Sequence, residues 1–95
     1  GGTANCTVII STDEVASPVV ANPTSLIAMN QPSLDKFEPL VEKNGIIIIN
    51  NSLVSRDIAR EDVSVVRVPA NDIANESNVL LLYPSCDGMV ITYVK

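Results

Sequence analysis

Two clusters of neutral polar side chains each close an aliphatic stretch: Asn30-Gln31 follows Ser25–Met29, and Asn50-Asn51-Ser52 follows Ile46–Ile49. Carboxamides donate and accept hydrogen bonds without bringing a charge that must be neutralised. Such a row suits a polar, uncharged ligand or the loop of a partner. Turn chemistry accounts for the same residues, since Asn and Ser side chains bond their own local backbone. Both readings stay open; Asn30-Gln31 is the more informative pair, because glutamine has little turn preference. In open α/β sheets, ligands bind beyond the carboxyl ends of the strands. If the two stretches are parallel neighbours joined by a helix at Ser33, both clusters lie on one edge of the sheet. Asn30, Gln31, Asn50, Asn51 and Ser52 are then the candidate ligand or subunit-interface residues, and no residue stands out as catalytic.

Other chemistries are poorly served. The chain has no histidine, which removes Ser-His and Cys-His nucleophile pairs and the commonest general base near neutral pH. Its two cysteines, Cys6 and Cys86, sit at opposite ends without CxxC spacing. They suit buried thiols or a disulfide, not an iron–sulfur cluster or structural zinc, which want about four Cys or His ligands. The carboxylate pair Asp13-Glu14 has no acidic counterpart nearby and reads as a solvated turn, with no metal expected. Asp57, Glu61 and Asp62 read as a solvated face beside Arg56 and Arg60. The opening Gly1-Gly2-Thr3-Ala4-Asn5 lacks the Gly-Lys-Ser/Thr of a phosphate loop and is expected to be a flexible lead-in.

A formal net charge of −5, with six basic residues spread along the chain, argues against nucleic acid as a partner. No apolar run approaches the roughly 18–20 residues of a membrane span, and no signal peptide is visible, so a cytoplasmic location is the default expectation. With 95 residues the chain is one domain at most. Apolar residues make up 46% but aromatics only 3%, so the core must be built from Val, Ile and Leu.

The elements that position the clusters follow from periodicity and β-branched content. Cys6–Thr12 reads as a strand, the proline-broken 13–23 as an extended connector, and Ser25–Met29 as a short buried strand. Residues 31–45 read as a helix capped by Ser33, with Leu34, Phe37 and Leu40 or Val41 on one face. It should end near Glu38, with a second turn at Pro39 and Gly45 as a left-handed cap. Ile46–Ile49 fits a strand buried on both faces. A polar loop, another strand at Val63–Pro69, and a weak helix follow, the helix capped by Asn71 with Ile73 and Ala74 facing inward. Val79–Tyr83 and Met89–Val94 around Asp87-Gly88 look like a β-hairpin. This is an α/β pattern. It contains a conflict: a strand covered on both faces needs helices on both sides, and the sequence offers one good helix and one poor one. Either another chain covers the second face or the sequence is part of a larger domain.

The ordered set "GGTANCTVIIST", "SPVV", "AMNQPSLDKF", "GIIIINNSLV" and "VPANDIANE" resembles the gamma subunit, or gamma-type domain, of 2-oxoacid:ferredoxin oxidoreductases from Gly1 to about Glu76. The resemblance implies a three-layer α/β/α domain with a mainly parallel sheet, incomplete relative to the family, in a multi-subunit complex. That complex oxidatively decarboxylates a 2-oxoacid such as pyruvate or 2-oxoglutarate to an acyl-CoA and passes electrons to ferredoxin. Thiamine diphosphate, iron–sulfur clusters and CoA are implied for the complex, with none expected on this chain alone. Alpha, beta and delta subunits are the implied partners, and ferredoxin indirectly. The gamma module looks like a non-catalytic, structural and substrate-access component, close to the CoA site.

The resemblance has two departures. Family members carry a strand, a glycine-rich loop and a long helix ahead of the Gly-Gly, and a Gly-Asn turn with an Ala-rich helix after the last matching segment; here 77–95 runs differently. A competing reading is a stand-alone α/β interaction module that forms homo-oligomers through edge strands at Val79–Tyr83 and Met89–Val94.

Overall fold

A computed structural model describes residues 5–11, 22–77 and 88–94. The elements in chain order are β1 (Asn5–Ser11), β2 (Ser25–Ala28), α1 (Gln31–Phe37), a 3-10 turn at Glu38–Leu40, β3 (Ile46–Asn50), β4 (Ser64–Val68), α2 (Ala70–Glu76) and β5 (Gly88–Val94). The strands form one sheet in the order β1-β5-β2-β3-β4. β2, β3 and β4 are mutually parallel, β1 and β5 are parallel to each other, and β5 runs antiparallel to β2. This is the expected mainly parallel α/β sheet. Most of the expected connector, its residues 13–21, lies outside the described residues, as do Gly1–Ala4, Thr12 and Cys86.

The core lies on one face. Leu26 and Ala28 of β2, Ile47 and Ile49 of β3, and Leu34, Phe37 and Val41 form one buried cluster with Val54. Ile58 and Val63 pack against it, so the link 51–63 lies over the same face as α1. Alternation explains the choice: one side of each strand supplies Leu, Ala and Ile to the helix, at about 1.5–3 kcal/mol per large side chain buried.

Local chemistry corrects several sequence expectations. α1 begins at Gln31, not Ser33: Asn30 is the cap, its backbone extended and its side chain accepting from the Ser33 N–H at 3.1 Å. Pro32, in the first turn, needs no such partner and favours this earlier start. Ser33 is instead fully buried. The break at Glu38-Pro39 is as expected, with the chain tightening into the 3-10 turn. The left-handed residue at its far side is Asn44 (φ 68°) rather than Gly45. Gly45 is required for a different reason: a Cβ there would lie 2.7 Å from the Thr24 carbonyl oxygen and 2.8 Å from that of Glu42.

α2 receives no side-chain cap from Asn71, and Ile73 points outward at 47% exposure while Ala74 is buried. Of the expected hairpin, Val79–Tyr83 lies outside the described residues. β5 is present, but both of its sides are taken, by β1 and by β2. Met89–Val94 is therefore an interior strand and not the exposed edge that the self-association reading requires. Among the described residues, the edge strands of the sheet are β1 and β4.

Candidate functional site

β2 and β3 are adjacent and parallel, with Ala28 opposite Ile49, so Asn30-Gln31 and Asn50-Asn51-Ser52 leave the sheet on the same edge. α1 makes the crossover between them, as the sequence suggested. Two further carboxamides that sequence reading did not assign to this edge join them. Asn71 arrives because β4 is parallel to β3 and α2 starts at its carboxyl end. Asn5 arrives because β1 pairs Asn5 with Gly88, which is in turn opposite Ala28. No local signal announced either one; both depend on which strands become neighbours.

Asn50 is a knot rather than a binding group. It is 3% exposed, and its side-chain nitrogen donates to the Met29 carbonyl at 3.2 Å and to Asn71 Oδ1 at 2.7 Å. Its Oδ1 accepts from the Ser52 N–H at 3.3 Å and the Ala70 N–H at 3.0 Å. One side chain thus ties the end of β2, the turn after β3 and the start of α2. Ser52 extends the tie, its hydroxyl oxygen accepting from the Asp72 N–H at 3.3 Å. Asn30 bonds its local backbone as the turn reading has it, whereas Asn50 makes one local bond, to Ser52, and its other three, like that of the Ser52 hydroxyl, reach segments about twenty residues away.

Gln31 and Asn51 differ. Gln31 is half-buried and Asn51 exposed, and neither side chain makes a hydrogen bond within the described structure. Between the two clusters α1 approaches the sheet closely: a Cβ on buried Gly88 would stand 3.0 Å from the Ser33 Cβ. Glycine at the head of β5 lets the first turn of α1 settle on the sheet. This contact was invisible in a sequence reading that placed Gly88 in a hairpin turn.

Two arginines latch the 51–63 link onto the helix beneath. Arg56 Nε donates to Asp35 Oδ1 at 2.7 Å and its Nη2 to Glu38 Oε2 at 2.6 Å. Arg60 engages both oxygens of Asp62 at 2.9 and 2.7 Å, while its Nη1 donates to the carbonyls of Glu38 at 2.8 Å and Val41 at 2.7 Å. Arg60 therefore adds a second donor to the Glu38 carbonyl, which already accepts from the Val41 N–H, and reaches the Val41 carbonyl at the end of the 3-10 turn. The hydrogen bond to Glu38, more than that to Asp35, raises the Arg56 guanidinium above its ordinary value. Arg60 is raised chiefly by its bond to Asp62, and that bond holds the Asp62 carboxyl below the usual range. The expected solvated charged face is in part a set of tertiary ion pairs.

Among the described residues, no three His, Cys, Asp or Glu side chains come together as a metal-binding group. No described helix is long and apolar enough to cross a membrane. Among the described residues, the side chains that form this edge are mainly neutral hydrogen-bonding groups, with Asp72 beside Ser52.

The sequence profile of the family described as "Pyruvate ferredoxin/flavodoxin oxidoreductase" matches residues 1–91. The chain belongs to this family. The match bears out the resemblance noted in the sequence and runs past Glu76, where that resemblance was expected to stop. Among curated proteins, ketoisovalerate oxidoreductase subunit VorA of Methanothermobacter marburgensis is 41% identical over 76 residues, 80% of this chain and 16% of that protein. Its counterpart in Methanothermobacter thermautotrophicus is 42% identical over the same shares. The 2-oxoglutarate synthase subunit KorC of Methanocaldococcus jannaschii is 31% identical over 77 residues, 80% of this chain and 41% of that protein. The chain thus spans less than half the length of each of these relatives. No solved structure matches.

Proposed function

We propose that the chain is a gamma-type component of a 2-oxoacid:ferredoxin oxidoreductase, required by the complex and inactive alone. Its family membership over residues 1–91 carries this reading. The chemistry of the chain supports the accessory part: without histidine, and with only two cysteines, it supplies neither the usual general base nor the ligands of an iron–sulfur cluster. In this reading the partner alpha, beta and delta subunits hold thiamine diphosphate and the clusters. The carboxyl edge of the sheet then serves as a subunit contact or a wall of the CoA entrance, with Gln31 and Asn51 as its unoccupied donors and acceptors. A cytoplasmic setting belongs to the same proposal. The substrate is left at the class of 2-oxoacid, because the named relatives differ: one kind acts on ketoisovalerate, the other makes or uses 2-oxoglutarate.

The test is reconstitution of the complex with and without this chain, followed by oxoacid- and CoA-dependent reduction of ferredoxin. Loss of activity on omission, restored by adding the chain back, is the expected result. Equal activity without the chain ends the proposal.

A further inference from the structure

Asn44-Gly45 is the one place in the sequence where asparagine precedes glycine. The pairing carries a reaction of its own. The backbone nitrogen of the following residue can attack the asparagine Cγ, and glycine hinders that approach least because it has no side chain. The N–Cγ bond forms, the Cγ–NH2 bond breaks, and ammonia leaves with the proton that the Gly45 nitrogen gives up. Water then opens the succinimide ring. Cleavage at Cγ leaves an aspartate. Cleavage at the former backbone carbonyl leaves an isoaspartate, in which the main chain runs through Cβ and Cγ.

We propose that Asn44 is a deamidation site held shut by Arg60, and that its isoaspartyl product cannot close again. The Asn44 carboxamide is exposed and has no hydrogen-bond partner among the described residues, so the carbon under attack is open. The nucleophile is what the fold withholds. The Gly45 N–H donates to the Glu42 carbonyl at 2.9 Å, and the Gly45 carbonyl accepts from the Ser64 N–H at 2.9 Å. Next to it the Asn44 N–H donates to the Asp62 carbonyl at 2.6 Å, with the residue held in the left-handed region (φ 68°). To reach Cγ, the Gly45 nitrogen must give up its bond and the Asn44 backbone must rotate. The reaction therefore waits for local opening of this turn.

Arg60 controls that opening. Its Nη1 donates to the Val41 carbonyl at 2.7 Å, while Nε and Nη2 grip the Asp62 carboxylate at 2.9 and 2.7 Å. One guanidinium thus joins the segment that leads into the turn to the segment that clamps it. Arg56 ties the same link to Asp35 and Glu38 and touches neither clamp.

Closure depends on main-chain length. Asn44 and Gly45 are tied to Asp62 and Ser64, and Gly45 is wedged in place: a Cβ there would lie 2.7 Å from the Thr24 carbonyl oxygen and from Val41 Cγ1. The isoaspartyl linkage adds a methylene between the two tied residues, and Gly45 has no room to shift. One tie must break, which loosens the end of the 51–63 link. The aspartyl product keeps the main-chain length and, like asparagine, tolerates the left-handed region. This inference stands apart from the oxidoreductase reading, because it concerns the chemistry of one turn and is untouched by the outcome of reconstitution.

The experiment ages the full chain at constant, mildly alkaline pH and follows each asparagine by peptide mapping and mass spectrometry. Asn51, exposed and followed by Ser52, is the internal clock. Asn44 should react at least about tenfold more slowly in the folded parent than in urea. Arg60→Ala should speed Asn44 several-fold with Asn51 unchanged, and Arg56→Ala should leave both at the parental rate. If Arg60→Ala does not fold, Arg60→Lys replaces it, since a single ammonium cannot span both clamps. Asn44 reacting at the urea rate in the folded parent overturns the proposal, as does a rate indifferent to Arg60 or one raised equally by Arg56→Ala. The isoaspartyl fraction, isolated by chromatography, should be cut by trypsin after Arg56 and Arg60 several-fold faster than the parent, while Asn44→Asp is cut at the parental rate. Equal cutting of the isoaspartyl and parental chains overturns the one-way step.

Discussion

The two carboxamide clusters sit side by side on one edge of one sheet, yet they are used in opposite ways. At the end of β3, Asn50 is buried and commits both side-chain polar atoms to four hydrogen bonds within the fold. At the end of β2, Asn30 makes one capping bond and its neighbour Gln31 makes none from its side chain. Position decides the difference. The Asn50 side chain leaves a central strand where three segments converge, so its lone pairs and protons find the Met29 carbonyl, the Ser52 and Ala70 N–H groups and Asn71 Oδ1. Gln31 is the first residue of α1, half-buried, and its side chain bonds no second segment among the described residues. Residue type alone does not separate a structural carboxamide from an available one; the number of chain segments meeting it does.

The largest effect should come from breaking the knot. Asn50→Ala would strip partners from the Met29 carbonyl and from the Ser52 and Ala70 N–H groups. Leaving buried groups unsatisfied costs about 1–3 kcal/mol each, and partial rescue by water should bring the total to roughly 3 kcal/mol. Urea unfolding would measure it. Asn50→Asp sharpens the point, since a carboxylate has no proton to give to the Met29 carbonyl or to Asn71 Oδ1. Burial among acceptors raises the folded pKa of the introduced acid above its unfolded value. This variant should then gain stability as pH falls through that raised pKa, where its neutral form can donate one bond. A variant as stable as the parent at neutral pH would show that the four bonds add nothing net.

The cap at the neighbouring strand end should give a smaller loss. Asn30→Ala removes one side-chain acceptor from the Ser33 N–H, and losses of this kind run at about 1 kcal/mol. Asn30→Ser and Asn30→Asp should recover most of it, because either oxygen can take the same bond. A loss at Asn30 equal to that at Asn50 would erase the contrast between the clusters.

Sequence reading anticipated the strands at β2, β3 and β4, the break at Pro39 and the common edge of the two clusters, because all of these follow from local pattern and one short crossover. It failed where a distant segment decides the outcome. Gly88 looked like turn chemistry next to Asp87, but it lies in an interior strand beneath Ser33. Gly45 looked like a left-handed cap, but the close approach of two backbone carbonyls explains it better, and Asn44 takes the positive φ. Asn71 resembled a helix cap until β4 brought it to Asn50. The role of Gln31 as an available group was hinted at only by its poor fit to a turn, and the sequence could not show that Asn50 would be consumed.

Neither cluster is charged, so acid should not change the difference between them in the unsubstituted chain. The latch of the 51–63 link supplies the pH dependence instead. Asp62 has its folded pKa depressed by Arg60, so its contribution is present above the unfolded pKa and is lost as pH falls through the folded value. Thermal melts should show a modest fall in Tm over that acid window, reduced in Asp62→Asn. The effect stays small because the pair is partly solvated. An Asn30→Ala destabilisation that varied with pH in step with Asp62 would mean that the helix cap and the latch are coupled.

The smallest stability effect, and the most telling about function, belongs to Gln31→Ala. Its side chain holds nothing within the described fold, and surface changes of this kind stay within about 0.5 kcal/mol. The unfolding midpoint of the chain should therefore barely move. If the carboxyl edge is a subunit contact, the same substitution should lower the affinity with which the chain joins the reconstituted complex, and Asn51→Ala should do likewise. Should the edge instead form a wall of the CoA entrance, assembly would be untouched while the KM for CoA rises. The two measurements divide the edge between its two proposed uses, whereas Asn50→Ala, which weakens the scaffold itself, cannot. A Gln31→Ala, Asn51→Ala double variant that assembles and turns over like the parent would remove this edge from both, leaving the carboxamides with the structural roles that Asn30 and Asn50 already display.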